Sequence, residues 1–576
     1  MFKAEIYKAR RAELRRRIGS GLILLPGNSE APRNYFDNAY AFRQDSNFLY
    51  YFGLQQPDLF GILDADSGEE MLFGDDCSID DIIWMGPQPS MVERGSWVGV
   101  ERTAPLAAAA EVVGKAIRAG RKVHFLMPYR GRTVLQLARL TGIDPLRMVE
   151  HLSPELAVAI AAMREVKGPE ELEELENAFE VGYAMHTAAM RATREGISER
   201  MVAGEMEGIT HRLGEGVSFH SIVSQHGETL HNHSHDGILT NGKLLLVDAG
   251  GESVNNYCSD HTRTFPVSGK FTPIQRDIYN IVLAAHDRAI ELARPDVTYQ
   301  EIHRETARTI AEGLTSLGLM KGSVDDIVAN GATAMFFPHG LGHQMGLDVH
   351  DMEDLGEKYV GYDKEVERST QFGIASLRMG KRLKVGTVLT DEPGIYKAGR
   401  HGIRIENTLL IVLAQETEFG KFYKFEPLTL CPIDKKAIAI EIMTDEELVW
   451  LNEYHQMVYD RLCPFLSEEE LKLWHIRKIY PKNDEFMCWQ RTNEEEGLNP
   501  YHCRHICLNE TLDLSIKANR HLLGRALYHL VQRRGFLSNR LDTSEDSNDT
   551  GAVKTSIKGL SEEMQYQSPL LLLKAY

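Results

Sequence analysis

Five acidic or imidazole side chains stand in settings that packing alone does not explain. Asp248 ends the apolar run Leu244-Leu245-Leu246-Val247 and precedes Ala249-Gly250-Gly251, which predicts a carboxylate at the exposed end of a buried strand. Asp260 lies in Cys258-Ser259-Asp260-His261-Thr262-Arg263. Taken alone, either Asp also reads as a turn residue or a helix cap. His339-Gly340-Leu341-Gly342-His343 sets two glycines between two histidines. The glycines free the backbone for unusual dihedrals and close approach to a ligand, although a solvated loop reads the same way. His350 adds a third imidazole nearby. Glu392 stands in Thr390-Asp391-Glu392-Pro393-Gly394-Ile395-Tyr396, directly after an apolar strand. Arg404 and Glu406, in Gly402-Ile403-Arg404-Ile405-Glu406-Asn407, are two apart and on a strand share one face. Burying that face is costly unless the charges pair or bind a metal; a surface strand with an ion pair is the alternative.

Together Asp248, Asp260, His343, Glu392 and Glu406 make four carboxylates and one imidazole. Such an oxygen-rich set suits pairs of Mn²⁺, Co²⁺ or Zn²⁺ better than a lone structural zinc. Paired metals deprotonate a water at neutral pH and polarise a carbonyl. There is no Gly-x-Ser-x-Gly elbow to offer a serine route, and no cysteine has a clear partner motif.

The elements that must position these groups follow from the apolar patterning. Residues 1–165 alternate helical stretches with short apolar runs, such as Leu22-Ile23-Leu24-Leu25-Pro26, Phe48-Leu49-Tyr50-Tyr51-Phe52 and Lys122-Val123-His124-Phe125-Leu126, which predicts an α/β domain. A charged hinge, Arg164-Glu165-Val166-Lys167-Gly168-Pro169, closes it. Pro169 and Thr272-Pro273 open two long helices striped by Leu172, Leu175, Phe179 and Met185, and by Ile274, Ile278, Ile281 and Ala285. Strands are expected over 244–248, 387–390 and 408–412. This alternation predicts an α+β body over residues 166–415. Residues 416–477 are rich in aromatics and acids, and residues 478–576 are polar, with a partly helical or disordered character.

Composition narrows the classes further. The chain has 576 residues and a net charge of −19, which speaks against nucleic-acid binding by the chain as a whole. The basic start, MFKAEIYKARRAELRRRIGS, lacks the apolar stretch of a secretory signal. No run approaches the ~20 apolar residues of a membrane helix. Seven cysteines without a framework spacing fit a reducing cytoplasm.

In order, the five motifs resemble the metal motifs of the pita-bread metallopeptidases, and within them the Xaa-Pro aminopeptidases, with prolidases as near relatives. Arg43-Gln44-Asp45-Ser46-Asn47-Phe48-Leu49 resembles part of the creatinase-type N-terminal domain of the same family. The resemblance spans residues 1–413. It implies an α/β N-terminal domain, a pita-bread catalytic domain, and two divalent metals, most often manganese, with cobalt or zinc as alternatives. The implied ligands are Asp248, Asp260, His343, Glu392 and Glu406. A bridging hydroxide would attack the carbonyl before proline while Glu392 shuttles the proton. His339 and His350 would contact substrate, Arg404 would orient the ligand network, and His231 matches a further active-site histidine. Proline-containing peptides are the implied substrates, and a cytoplasmic homo-oligomer is expected. A prolidase and a non-catalytic pita-bread protein are the alternatives.

His261 departs from the pattern, occupying a place usually apolar beside a metal ligand. Residues 416–477 resemble the C-terminal segment of three-domain aminopeptidases P. Residues 478–565, with Gln532-Arg533-Arg534-Gly535-Phe536, resemble a recognition-lobe fragment of a type II CRISPR RNA-guided nuclease, which suggests a composite chain. Nucleic acid is expected as a partner only through that extension. Cys503 and Cys507, with His502 and His505, lack the second half of a zinc site and read as incidental clustering.

Overall fold

In a computed structural model of the chain, the described residues are 1–35, 37–292, 297–417, 420–429, 449, 452 and 453. The extension from 478, including Cys503, Cys507 and the basic run at 533–540, lies outside them, as does nearly all of 430–477. The chain divides into two compact units, residues 1–170 with 350–365, and residues 171–349 with those from 366 onward. His350 therefore falls in the first unit.

The first unit is built on a five-stranded mixed sheet in the order β4-β3-β2-β1-β5. Its strands are β1 (Leu22–Pro26), β2 (Phe60–Asp64), β3 (Glu70–Phe73), β4 (Arg102–Ala104) and β5 (Val123–His124). Alternate residues Leu22 and Leu24, Phe60 and Ile62, Met71 and Phe73 face one core with Val113 and Leu137 from two helices. The apolar run at 48–52 is not a strand. It is the helix Ser46–Phe52, started by the Asp45 side chain, which accepts the Phe48 amide, and ended by left-handed Gly53. Every residue of this helix is buried, so no amphipathic pattern marked it as helical. The charged hinge is held by buried ion pairs. Arg164 and Lys167 both reach Asp351 at 2.6 Å, and Arg164 also donates to Asn47 Oδ1 at 2.7 Å.

Among its described residues the second unit holds four small antiparallel sheets. Strands β6 (Gly216–Val217) and β9 (Gly251–Glu252) pair; β7 (Ile222–Ser224), β8 (Leu244–Ala249) and β10 (His261–Pro266) form a sheet in the order β10-β8-β7. β11 (Val388–Asp391), β14 (Asn407–Thr417) and β15 (Gly420–Pro427) form another, and β12 (Gly394–Lys397) pairs with β13 (His401–Arg404). Leu245, Val247 and Ala249 pack on the helices Pro169–Ala192 and Glu199–Leu213. Leu246 and Asp248 point to the opposite face, where Leu246 meets Ile222 and Tyr396. The helices Pro273–Glu291 and Tyr299–Ser316 cover the rest of the core, with Ile278, Val282 and Ile310 against Leu389, Ile403, Leu409 and Phe425. The architecture is the expected α+β body preceded by an α/β unit. No helix among the described residues is long and apolar enough to cross a membrane.

The expected boundary at residue 415 falls inside β14, and β15 pairs with that strand from Leu409–Pro427 to Thr417–Gly420. Thr429 Oγ1 then accepts the Thr408 amide. A chain cut at 415 loses this strand and uncovers the core around Phe425, whose burial is worth about 1.5–3 kcal/mol. It is expected to melt several degrees below a chain cut at 430 in calorimetry; equal melting temperatures would show that β15 adds nothing.

Candidate metal centre

Asp248 leaves the site face of β8 opposite Thr262 of β10. Asp260 sits one residue before β10, so the antiparallel pairing carries both carboxylates to one end of the sheet. Gly250 permits the close approach behind them, because a Cβ there would stand 1.7 Å from the Ser259 carbonyl oxygen. Glu392 directly follows β11. Glu406 lies between β13 and β14, where the chain passes from one sheet to another. Arg404 and Glu406 are thus not neighbours on one continuous strand. β13 ends at Arg404 because its partner is β12, whereas β14 pairs with β11 and β15.

The glycines of the His-Gly-Leu-Gly-His motif serve packing rather than unusual dihedrals. A Cβ on Gly342 would meet the Thr390 carbonyl oxygen at 2.0 Å, and one on Gly340 would meet Leu377 Cα at 2.7 Å. That approach lets the His343 amide donate to Thr390 Oγ1 at 3.1 Å and the Thr390 amide donate to the His343 carbonyl at 2.9 Å. The imidazole is thereby carried against β11. Its Nδ1 donates to the Gln344 carbonyl at 3.0 Å, which turns Nε2 toward Asp260 Oδ2 at 3.4 Å and Glu392 Oε1 at 3.9 Å. Asp260, His343 and Glu406 each bring a ligand atom within 4.8 Å of the others.

Arg404 ties the remaining pieces together. Its guanidinium pairs with Asp248 Oδ2, donates to Thr262 Oγ1 at 2.9 Å and to the Tyr396 hydroxyl at 2.8 Å, and lies 3.9 Å from Glu392. Thr262 donates in turn to Glu406 Oε2 at 2.6 Å. Tyr396 donates to His339 Nε2 at 2.7 Å, since His339 Nδ1 gives its proton to the Gly340 carbonyl at 2.8 Å. The sequence alone assigns Tyr396 and Thr262 no role, because a hydroxyl in a strand carries no signal of its own. His231 is exposed. His350 bonds Glu353 through Nδ1 at 3.2 Å within the first unit.

Burial, followed by mutual repulsion, raises the carboxyls of Asp260, Glu392 and Glu406 well above the ordinary range. Burial alone would lower Arg404, but Tyr396, Asp248, Glu392 and Glu406 hold it raised. Burial, then Arg404, pushes His339 down to about 3, so it is neutral. Asp248 Oδ1 and Asp260 Oδ1 are buried without a hydrogen-bond partner. Orphaned carboxylate oxygens beside an imidazole lone pair are the donor set of a divalent cation, and the residues fit one.

His261 lies opposite Ala249 in the ladder and so faces the helices, away from Asp248. Its ring stacks on His186 with centroids 4.1 Å apart, in the space Gly182 leaves; a Cβ there would be 2.5 Å from His261 Cε1. Burial, then His186, keeps it neutral. The departure from the family pattern is a core substitution on the face opposite Asp248.

Residues 173–412 match the profile described as Metallopeptidase family M24, residues 7–124 that of the aminopeptidase P N-terminal domain, and residues 421–481 that of the C-terminal region of peptidase M24. The Xaa-Pro aminopeptidase of Escherichia coli K12 is 31% identical over 395 residues, covering 65% of this chain and 85% of that protein. The chain belongs to metallopeptidase family M24. The human Xaa-Pro dipeptidase is 32% identical over 387 residues, covering 65% of this chain and 76% of that one. The solved structure of E. coli aminopeptidase P with the inhibitor Pro-Leu superposes with a TM-score of 0.63 at 28% identity, covering 79% of this chain and 99% of that one. As a member of M24, the chain carries its candidate divalent-metal centre on the family's own domain.

The electrostatics set a sign for pH dependence. Carboxyls raised above their ordinary value of about 4 stabilise the metal-free fold while protonated, and that contribution is lost as pH rises through the raised values. The chelated protein is expected to melt progressively lower as pH rises above the ordinary carboxyl value of about 4. Added Mn²⁺ should remove most of the decline, because binding to the native state alone stabilises it. A pH-independent melting temperature in chelator would contradict this.

Proposed function

We propose that the protein is a dinuclear-metal Xaa-Pro aminopeptidase, releasing the residue that precedes proline at a peptide N-terminus. The observation that carries this reading is the buried meeting of Asp260, His343 and Glu406 within 4.8 Å, with Glu392 3.9 Å from His343 and Asp248 held by the same Arg404 that Glu392 faces. Four negative charges against the Arg404 guanidinium suit two divalent ions better than one. Oxygen-dominated ligation favours manganese, with cobalt or zinc as alternatives. The proposed ligands are Asp248, Asp260, His343, Glu392 and Glu406.

Bound there, the metals supply Lewis-acid polarisation of the scissile carbonyl and an acidified water. The chain's own residues do the rest. Glu392, with 19% of its side chain exposed, is placed to take the water's proton and pass it to the departing proline nitrogen. Arg404 is a positioning residue, fixing Asp248, Thr262 and Tyr396 at once. Neutral His339, paired to Tyr396, forms the substrate side of the centre, and exposed His231 extends it. His350 is assigned to substrate contact on the family resemblance alone. A cytoplasmic homo-oligomer acting on proline-containing peptides completes the reading.

A dipeptidase is the second reading, favoured by the human relative's comparable identity. With Mn²⁺ present, release of the first residue from an Xaa-Pro-Yaa tripeptide is expected. Cleavage of Xaa-Pro dipeptides alone would select the dipeptidase. Cleavage of neither, with metal bound, would select the non-catalytic protein.

Glu392→Gln should lower kcat/KM by about 10²–10⁴ while the Mn²⁺-loaded variant stays folded by circular dichroism. Activity within a few-fold of the parent would remove Glu392 from proton transfer.

A further inference from the structure

One helix of the second unit sends two polar side chains to the backbone that carries the candidate metal ligands. Tyr299 and His303 are four apart in the helix Tyr299–Ser316, so both lie on one face. Both are buried, as are Ile302, Thr306 and Ile310 beside them. The Tyr299 hydroxyl donates to the Thr390 carbonyl of β11 at 2.6 Å. His303 Nδ1 accepts the Leu341 amide at 3.1 Å, in the middle of the His-Gly-Leu-Gly-His motif.

That motif lies along β11 much as a short irregular strand would. The Glu392 amide donates to the Leu341 carbonyl at 2.8 Å, the Thr390 amide to the His343 carbonyl, and Gln344 bridges to Leu389. The Leu341 peptide is thus bonded to β11 through its carbonyl and to His303 through its amide. Leu341 is fully buried, so that amide requires an acceptor. The neighbour on this edge is a helix, whose own carbonyls are spent along its axis. A side chain must therefore serve.

The imidazole is suited to it. An amide donor at Nδ1 needs the lone pair there, which leaves the ring neutral with its proton on Nε2. Burial, then Arg304, push His303 down to about 3, so it stays an acceptor at neutral pH. Phe337 stacks on the His303 ring with centroids 5.2 Å apart and meets His339 edge to face at 4.9 Å. The ring is thereby fixed in orientation as well as in charge.

We propose that His303 is a positioning residue for the metal centre, holding the Leu341 peptide so that His343 and Glu392 stand at their ligand positions. It acts only through Leu341, whose carbonyl bonds the Glu392 amide and whose chain reaches His343 two residues later. The effect on metal binding follows from this geometry alone. The effect on turnover rests on the peptidase reading.

The test uses the full chain with His303→Asn and, separately, His303→Gln. In asparagine Oδ1 takes the place of Nδ1, whereas in glutamine the acceptor stands one atom farther out, where Nε2 was. Both replacements are polar and uncharged, so a difference between them reports the position of the acceptor. Measured well below the melting temperature, His303→Gln should bind Mn²⁺ about tenfold more weakly. Its kcat should fall about tenfold with KM nearly unchanged. His303→Asn should stay within a few-fold of the parent in all three. Without metal, amide exchange over residues 339–343 should quicken in the glutamine variant only.

Parent-like Mn²⁺ affinity in His303→Gln overturns the proposal. So does an equal loss in both variants, which is what simple loss of packing would give. Should His303→Gln misfold, His303→Asn decides: parent-like affinity and slow exchange support the role, and a tenfold loss of affinity overturns it. If the parent cleaves no Xaa-Pro peptide, the peptidase reading fails while the Mn²⁺ affinities still decide the role of His303.

Discussion

Four carboxylates brought together in a largely buried space repel one another, and most of the second unit is arranged around holding them there. Asp248 and Asp260 arrive on paired strands, Glu392 at the end of a third, and Glu406 at a change of sheet. Each alone would be a costly buried charge. Arg404 relieves part of the strain by bonding Asp248, Thr262 and Tyr396 simultaneously. The remainder calls for cations. A fold that stores this repulsion is preorganised for metal, because the ligands need no gathering when an ion arrives. The centre is most open at Glu392 and His339, each with 19% of its side chain exposed.

Much of this was legible in the sequence because the ligands sit in short motifs with local causes. An apolar run ending in Asp248 specifies a strand end, and Gly-Leu-Gly between histidines specifies close backbone approach. The order of five such motifs was enough to place the family. Less legible was anything that depends on partners far apart in the chain. The run at 48–52 has no periodicity because every side chain is buried, so only Asp45 and Gly53 reveal the helix. Arg164 and Lys167 read only as parts of a charged hinge, since Asp351, which pairs with both, lies far along the chain. Arg404 and Glu406 read as one strand because the switch between sheets leaves no mark at residue 405.

His261 shows the same limit in a different form. Its adjacency to Asp260 drew attention to the ligands, yet strand alternation sends it to the far face, against His186. The residue that permits it is Gly182, far from the metal motifs in sequence although its backbone lies against Ser259 and His261. A polar group beside a ligand in sequence is thus no guide to one beside it in space, unless the face is also known.

The strand β15 carries a consequence for how the protein is made. All five proposed ligands precede it, so during synthesis the complete donor set emerges while β14 still presents one unpaired edge. An open edge recruits other chains, and domains fold as they leave the ribosome. The nascent protein is therefore most exposed to wrong pairing after its chemistry has been encoded and before residues 420–427 arrive to close the sheet.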